Sequence, residues 1–201
     1  MTAGQRLAEI DAVTVDAFGT LLELRDPIGS LARLLPGVDR DTIARAFRAE
    51  TAFYVPRSHE GRDADSLAAL RAESTRVFNE AAGASLTPPE YIGALEFTFI
   101  DGALDAIERL RGRGLSLCVV SNWDIGLHEW LDGVGVPVVT SAEAGAPKPD
   151  PAPFRRALEL IGTRPERTLH VGDGESDELG AAAAGLRFAP APLAEAVHAW
   201  T

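Results

Sequence analysis

Four short polar clusters stand at the ends of four apolar runs in this 201-residue chain: Asp16-Ala17-Phe18-Gly19-Thr20, Ser121-Asn122, Lys148-Pro149 and Gly172-Asp173-Gly174-Glu175-Ser176-Asp177. Between them they hold a carboxylate able to attack, hydroxyl and amide donors for an oxyanion, a cation and paired acids. That is equipment for displacement at an electrophile bearing negative charge.

Asp16 closes the first apolar run, and Gly19 lets the backbone turn away beneath it. An aspartate at such a strand end can attack phosphorus or carbon to form an ester, or it can simply cap the turn. Ser121 and Asn122 end a second run, where a hydroxyl and backbone N–H groups suit an anionic oxygen or a helix cap. Lys148 lies between Pro147 and Pro149, which restrict the backbone and aim the side chain at a point anion. Asp173 and Asp177, if near Asp16, make a hard oxygen site of the kind Mg²⁺ takes, and Asp177 can cap its helix as well. Glu175 is a bystander or supporting acid. The single cysteine, Cys118, sits within an apolar run and reads as a small core residue rather than a catalytic thiol.

The elements that must position these groups follow from apolar periodicity. Short β-like runs cover Ala12 to Val15, Leu115 to Val120, Val136 to Val139, Thr168 to Val171 and Leu186 to Ala189. Helical patterns lie between them at Gly102 to Arg111, Gly126 to Leu131, Pro153 to Ile161 and Asp177 to Ala184. This alternation predicts an α/β fold, a doubly wound parallel sheet with active groups at the strands' carboxyl ends. From about Asp26 to Phe99 the chain instead shows four helical patterns and no convincing strand: Ile28 to Leu35, Asp41 to Tyr54, Ala64 to Ala82 and Pro89 to Glu96. It reads as an all-helical insert placed over those carboxyl ends.

Composition narrows the partners. Hydrophobic residues at 46% and charged residues at 24% describe an ordinary globule rather than a disordered chain. A net charge of −11 disfavours nucleic acid or an anionic membrane as partner, so a small anionic substrate would need a local cation. The N-terminal residues hold no apolar stretch of signal-peptide length and no uncharged run is long enough to span a membrane, which leads us to expect a cytoplasmic protein.

The order and setting of the four clusters resemble the haloacid dehalogenase superfamily of hydrolases, through Asp16-Ala17-Phe18-Gly19-Thr20-Leu21, Ser121-Asn122, Lys148-Pro149-Asp150-Pro151 and Gly172-Asp173 to Asp177. The resemblance implies a Rossmann-like core over residues 1–25 and 100–201 and a helical cap over 26–99. It implies Asp16 as nucleophile, Thr20, Ser121 and Lys148 as holders of the substrate anion, and Mg²⁺ bound by Asp16, Asp173 and the Phe18 carbonyl with support from Asp177.

Phe18 departs from the pattern. Phosphatases of this family usually carry a second aspartate there, which protonates the leaving group and then activates water; phenylalanine does neither. An aromatic residue at this place resembles the family's 2-haloacid dehalogenases, whose halide leaves without a proton, although those work without metal and usually replace the Gly-Asp of the last motif. Three readings follow: a Mg²⁺-dependent phosphatase of a small phosphorylated metabolite, a 2-haloacid dehalogenase using a cap arginine such as Arg48 for the substrate carboxylate, and a weakened binding module on the same scaffold. In the cap, Arg48, Tyr54, Arg57 and His59 are candidate contacts or ordinary surface residues, and Trp123 is a candidate pocket wall or core residue.

Overall fold

The computed structural model describes residues 10–200. The N-terminal segment 1–9, part of the expectation of no leader, lies outside the described residues. Five strands form one parallel sheet: β1 (Ala12–Val15), β4 (Ser116–Ser121), β5 (Val138–Thr140), β6 (Thr168–Gly172) and β7 (Arg187–Pro190), in the order β5-β4-β1-β6-β7. The expected strands are all present, with edges shifted by a residue or two. β1 is central: Val13 stands level with Leu117 and Leu169, and Val15 with Val119 and Val171.

Alternation along the strands sends side chains to two separate cores. Val13, Val15, Leu117, Val119, Leu169 and Val171 belong to one, which includes Ile107 and Leu110 of α5 (Ala103–Gly112) and Leu193 and Val197 of α10 (Leu193–Trp200). Cys118 and Val120 belong to the other, with Phe154 and Leu158 of α8 (Ala152–Ile161) and Ala181 of α9 (Glu175–Ala184). Helices therefore cover both faces, the doubly wound arrangement. Burial pushes the Cys118 thiol up to about 12, which makes it a core residue and an inert one.

The segment after β1 builds a third core of its own. Its helices are α1 (Pro27–Leu34), α2 (Arg40–Tyr54), α3 (Ala64–Ala82) and α4 (Pro88–Gly93), and they enclose Leu31, Ile43, Ala46, Phe78 and Tyr91. Local chemistry sets their starts: Asp39 accepts the Thr42 N–H at 2.9 Å, and Asp63 accepts that of Ser66 at 2.8 Å.

The strand-free reading of 26–99 needs one correction. β3 (Phe97–Phe99) pairs antiparallel with β2 (Leu22–Leu24), placing Leu24 opposite Phe97. Three residues are too few for a period-2 signal, and the ribbon exists because its two strands, about 75 positions apart in the chain, meet where the insert leaves and rejoins the sheet. Among the described residues no helix is long and apolar enough to cross a membrane.

Candidate active site

Because β4 and β6 flank β1, the carboxyl edge of the sheet brings three clusters together. Asp16 follows β1, Ser121 and Asn122 close and follow β4, and Gly172-Asp173 closes and follows β6. The Asp16 N–H donates to the Val171 carbonyl at 2.9 Å, continuing the ladder one step past the strand. Lys148 enters from the loop before α8.

Asp16 is buried, and its Oδ1 accepts from Ser121 Oγ at 2.9 Å and from Lys148 Nζ at 2.5 Å. Oδ2 takes no hydrogen bond among the described residues. Lys148, 4% exposed, also donates to Asp177 Oδ1 and, at 3.1 Å, to the Val120 carbonyl. Burial works to lower the lysine pKa, but the two carboxylates outweigh it and raise it, so the ammonium keeps its proton.

Behind Asp177 lies His170, fully buried. Its Nε2 is 2.8 Å from Asp177 Oδ1 and its Nδ1 is 3.0 Å from Thr14 Oγ1. Burial, helped by the Lys148 charge, lowers the imidazole pKa against the pull of Asp177. The ring is therefore neutral at pH 7, donating from Nε2 to Asp177 and accepting the Thr14 hydroxyl, a tautomer assigned from its partners. Burial raises the Asp177 carboxyl, and the bond from His170 and the charge of Lys148 reverse this and hold it below the usual range. Asp177 Oδ2 meanwhile accepts the Gly174 N–H at 3.2 Å, so helix capping and site membership coexist in one side chain.

Asp16, Asp173 and Asp177 offer carboxylate oxygens that all lie within 4.8 Å of one another. Asp173 reaches in because residue 19 is glycine: a Cβ there would stand 2.1 Å from Asp173 Oδ2, and φ of +79° would strain any other residue. Burial and the charges of Asp16 and Asp177 raise the Asp173 carboxyl, a crowding of like charge that a cation would relieve.

These groups open into a cavity of about 340 Å³ shared with the helical insert. Phe18, Phe97, Trp123 and Trp130 form an aromatic wall: Phe97 lies 5.0 Å from Trp123 and 4.9 Å from Trp130, with Phe18 edge-on to Phe97 and Trp123 at 6.5 and 6.4 Å. Further out are Glu50, Tyr54, Arg71, Ser74 and Asp124. Tyr54 donates to Asp124 Oδ2 at 2.7 Å, a bond between insert and sheet layer, and Asp124 Oδ1 accepts the Gly126 N–H at 2.7 Å.

Several sequence-predicted residues are placed otherwise. Arg48 is exposed and does not line the cavity; the insert's arginine there is Arg71. At 3.6 residues per turn, Phe47, Glu50, Thr51 and Tyr54 share the inward face of α2, and position 48 falls about 100° away. Thr20 is fully buried, its hydroxyl has no partner among the described residues, and it is absent from the cavity wall, because the turn directs it into the interior. Asn122 lines the cavity, yet its side chain is engaged by the Lys148 backbone rather than presented to a substrate. Arg57 is exposed, lying over the Phe53 ring, and neither it nor His59 lines the cavity, whereas Tyr54 does. Trp123 is both core member and wall. Glu50, Arg71, Ser74, Phe97, Asp124 and Trp130 were missed, and of these only Asp124, three residues past Ser121, had a neighbouring motif to signal it.

A family model of haloacid dehalogenase-like hydrolases matches residues 10–185. The chain is 42% identical over 108 residues to haloacid dehalogenase-like hydrolase domain-containing protein 3 of Bos taurus, covering 49% of this chain and 43% of that one. It is 36% identical over 91 residues to phosphoglycolate phosphatase of Rhodospirillum rubrum, covering 42% and 38%. It thus spans less than half the length of these two curated relatives. Among solved structures, that of the L-2-haloacid dehalogenase RSc1362 aligns with a TM-score of 0.73 at 17% identity over 95% of this chain and 98% of that one, a likeness of fold. The ordered clusters on one sheet edge and a family match running from β1 to the end of α9 lead to one conclusion: the chain belongs to the haloacid dehalogenase-like hydrolases.

Proposed function

We propose that the chain is a Mg²⁺-dependent phosphatase of a small phosphorylated metabolite, working through an aspartyl-phosphate on Asp16, with residues 26–99 as the cap that shapes the substrate pocket. The observation that carries this reading is the grouping of Asp16, Asp173 and Asp177 beside the buried Lys148. The residues fit such an ion: the three carboxylates offer hard oxygens that all lie within 4.8 Å of one another, and Gly19 clears room for Asp173. Asp16, Asp173 and the Phe18 carbonyl would hold it, with Asp177 in support. When bound, the ion supplies neutralising charge at the transferring phosphoryl oxygens.

The chain's own residues do the rest. Ser121 and Lys148 pin Asp16 Oδ1 and thereby aim Oδ2 at phosphorus, while the Lys148 ammonium offsets charge on the phosphoryl group. The phosphorus–oxygen bond to the leaving group breaks, and the leaving oxygen departs with the electron pair. Water then attacks phosphorus and restores the Asp16 carboxylate.

The dehalogenase reading has one observation in its favour: Phe18 and its aromatic neighbours suit a leaving halide, which takes no proton. Phosphate release from an aryl phosphate that stops with EDTA and with Asp16→Asn is expected here. Chloride release from 2-chloropropionate without metal would replace this reading with dehalogenation, and anion binding with neither activity would replace it with a binding module.

A further inference from the structure

Phe18 is 48% exposed although it is a large apolar side chain, and it lines the cavity. Together with Phe97, Trp123 and Trp130 it makes a continuous aromatic surface beside the attacking carboxylate. Such rings favour edge-on or offset contact with another ring. The same residue leaves position 18 without a proton donor. The ionisable groups at the phosphoryl end, Asp16, Lys148, Asp173 and Asp177, are committed to one another or to a cation. A leaving oxygen at this site therefore departs as an anion. A phenolic oxygen, with a pKa near 10, does so far more readily than an alkanol, which is nearer the value of about 16 for water.

The far end of the cavity adds a second requirement. Glu50 and Ser74 line it and are 5% and 1% exposed, and the Ser74 hydroxyl makes no hydrogen bond among the described residues. Glu50 precedes Tyr54 on the inward face of α2 by four residues, about 6 Å along the helix axis. Arg71, which also lines the cavity, already faces Glu129 at 3.9 Å. The hydroxyls of Tyr91, Ser74 and Thr51 lie near the Glu50 carboxyl, and with about four acceptor sites on its two oxygens it still has room for a donor brought by a ligand. The volume, near the lower end of ligand pockets at about 300 Å³, holds one ring and a short substituent rather than a nucleotide.

We propose that the substrate is an aryl phosphate monoester, the phosphate of a phenolic hydroxyl, whose ring packs against Phe18, Phe97, Trp123 and Trp130 and whose far edge carries a hydrogen-bond donor received by Glu50 and Ser74. This rests on the phosphatase reading above. The bonds balance: Asp16 Oδ2 bonds to phosphorus, the aryl oxygen leaves with the electron pair and takes a proton from solvent, and water then cleaves the phosphoaspartate to inorganic phosphate and the free carboxylate.

The test measures kcat/KM in Mg²⁺ for ring-substituted phenyl phosphates, for n-propyl phosphate, and for 4-(hydroxymethyl)phenyl phosphate. Expected are an aryl-over-alkyl preference of about 100-fold or more, a fall of about tenfold from 4-nitrophenyl to 4-methylphenyl phosphate, and a gain of about tenfold for the hydroxymethyl ester that Glu50→Gln removes. Trp130→Ala should narrow the aryl-over-alkyl ratio by about tenfold, and Phe97→Leu serves the same purpose if Trp130→Ala fails to fold. Equal kcat/KM for aryl and alkyl esters, or a hydroxymethyl gain untouched by Glu50→Gln, overturns this substrate class and leaves the phosphatase reading standing. Hydrolysis of none of these esters overturns both.

Discussion

Asn122 grips the backbone of Lys148 with both ends of its amide: Oδ1 accepts the Lys148 N–H at 2.7 Å and Nδ2 donates to the Lys148 carbonyl at 3.0 Å. A residue at the end of β4 thereby fixes the loop that carries the site's cation, and with it the angle at which Nζ meets Asp16.

Asn122→Ala should therefore act through Lys148. Two partly buried backbone groups lose their partners, which costs about 1–3 kcal/mol. We expect a thermal midpoint lowered by several degrees and kcat on an aryl phosphate reduced about tenfold or more, with Asn122→Asp intermediate because it keeps the acceptor. Unchanged kinetics in a folded Asn122→Ala protein would show that Lys148 is placed by its flanking prolines alone.

Gly19→Ala should separate the cation site from the rest. The added Cβ would collide with the Asp173 carboxylate, and the left-handed backbone costs a residue with a side chain about 1–2 kcal/mol. We expect a weakening of Mg²⁺ affinity by about tenfold in a calorimetric titration, set by the displaced Asp173. Affinity equal to wild type would mean that Asp173 is not a ligand.

Phe18→Asp places a proton donor two residues after Asp16, the proposed nucleophile. Turnover of n-propyl phosphate should rise by about 10-fold to 100-fold, whereas 4-nitrophenyl phosphate, whose nitrophenolate needs no proton and whose ring loses the Phe18 contact, should gain far less. A folded variant that binds Mg²⁺ and gains nothing on the alkyl ester would count against the account of Phe18.

Glu50 makes a pH prediction. Burial raises its carboxyl above the ordinary 4.5, against the nearby hydroxyls of Tyr91, Ser74 and Thr51. With the folded pKa above the unfolded one, the native state binds more protons between those two values, so this group's contribution to stability declines as pH rises through that window. Glu50→Gln removes the decline. Urea unfolding at a series of pH values should show the variant gaining on wild type by at most about 1.4 kcal/mol per pH unit above pH 4.5 and levelling off once the folded carboxyl has ionised. A constant difference across the series would place the Glu50 carboxyl in an ordinary environment.

Much of this molecule was legible without coordinates, and the reason is locality. Strand ends near Val15, Val120 and Val171 show in short apolar runs broken by glycine or polar residues, within a residue of the ends observed, and the helices of the insert show in a 3.6-residue period, with caps at Asp39 and Asp63. A parallel sheet with such ends must gather Asp16, Ser121 and Asp173 on one edge. The sequence by itself thus determined the scaffold and the nucleophile candidate, and its resemblance to the family marked Phe18 as standing where a proton donor is usual. What only the tertiary structure decided depends on contacts between distant segments. Arg71 rather than Arg48 faces the cavity because of how α2 and α3 are turned; Thr20 points inward, Asn122 serves Lys148, and His170 backs Asp177. Phe97 and Trp130 meet because the β2–β3 ribbon brings the end of the insert against the short helix Leu127–Trp130 that follows β4. Periodicity reports which face of an element is apolar, whereas the partner that face meets is set by long-range packing that no local pattern encodes.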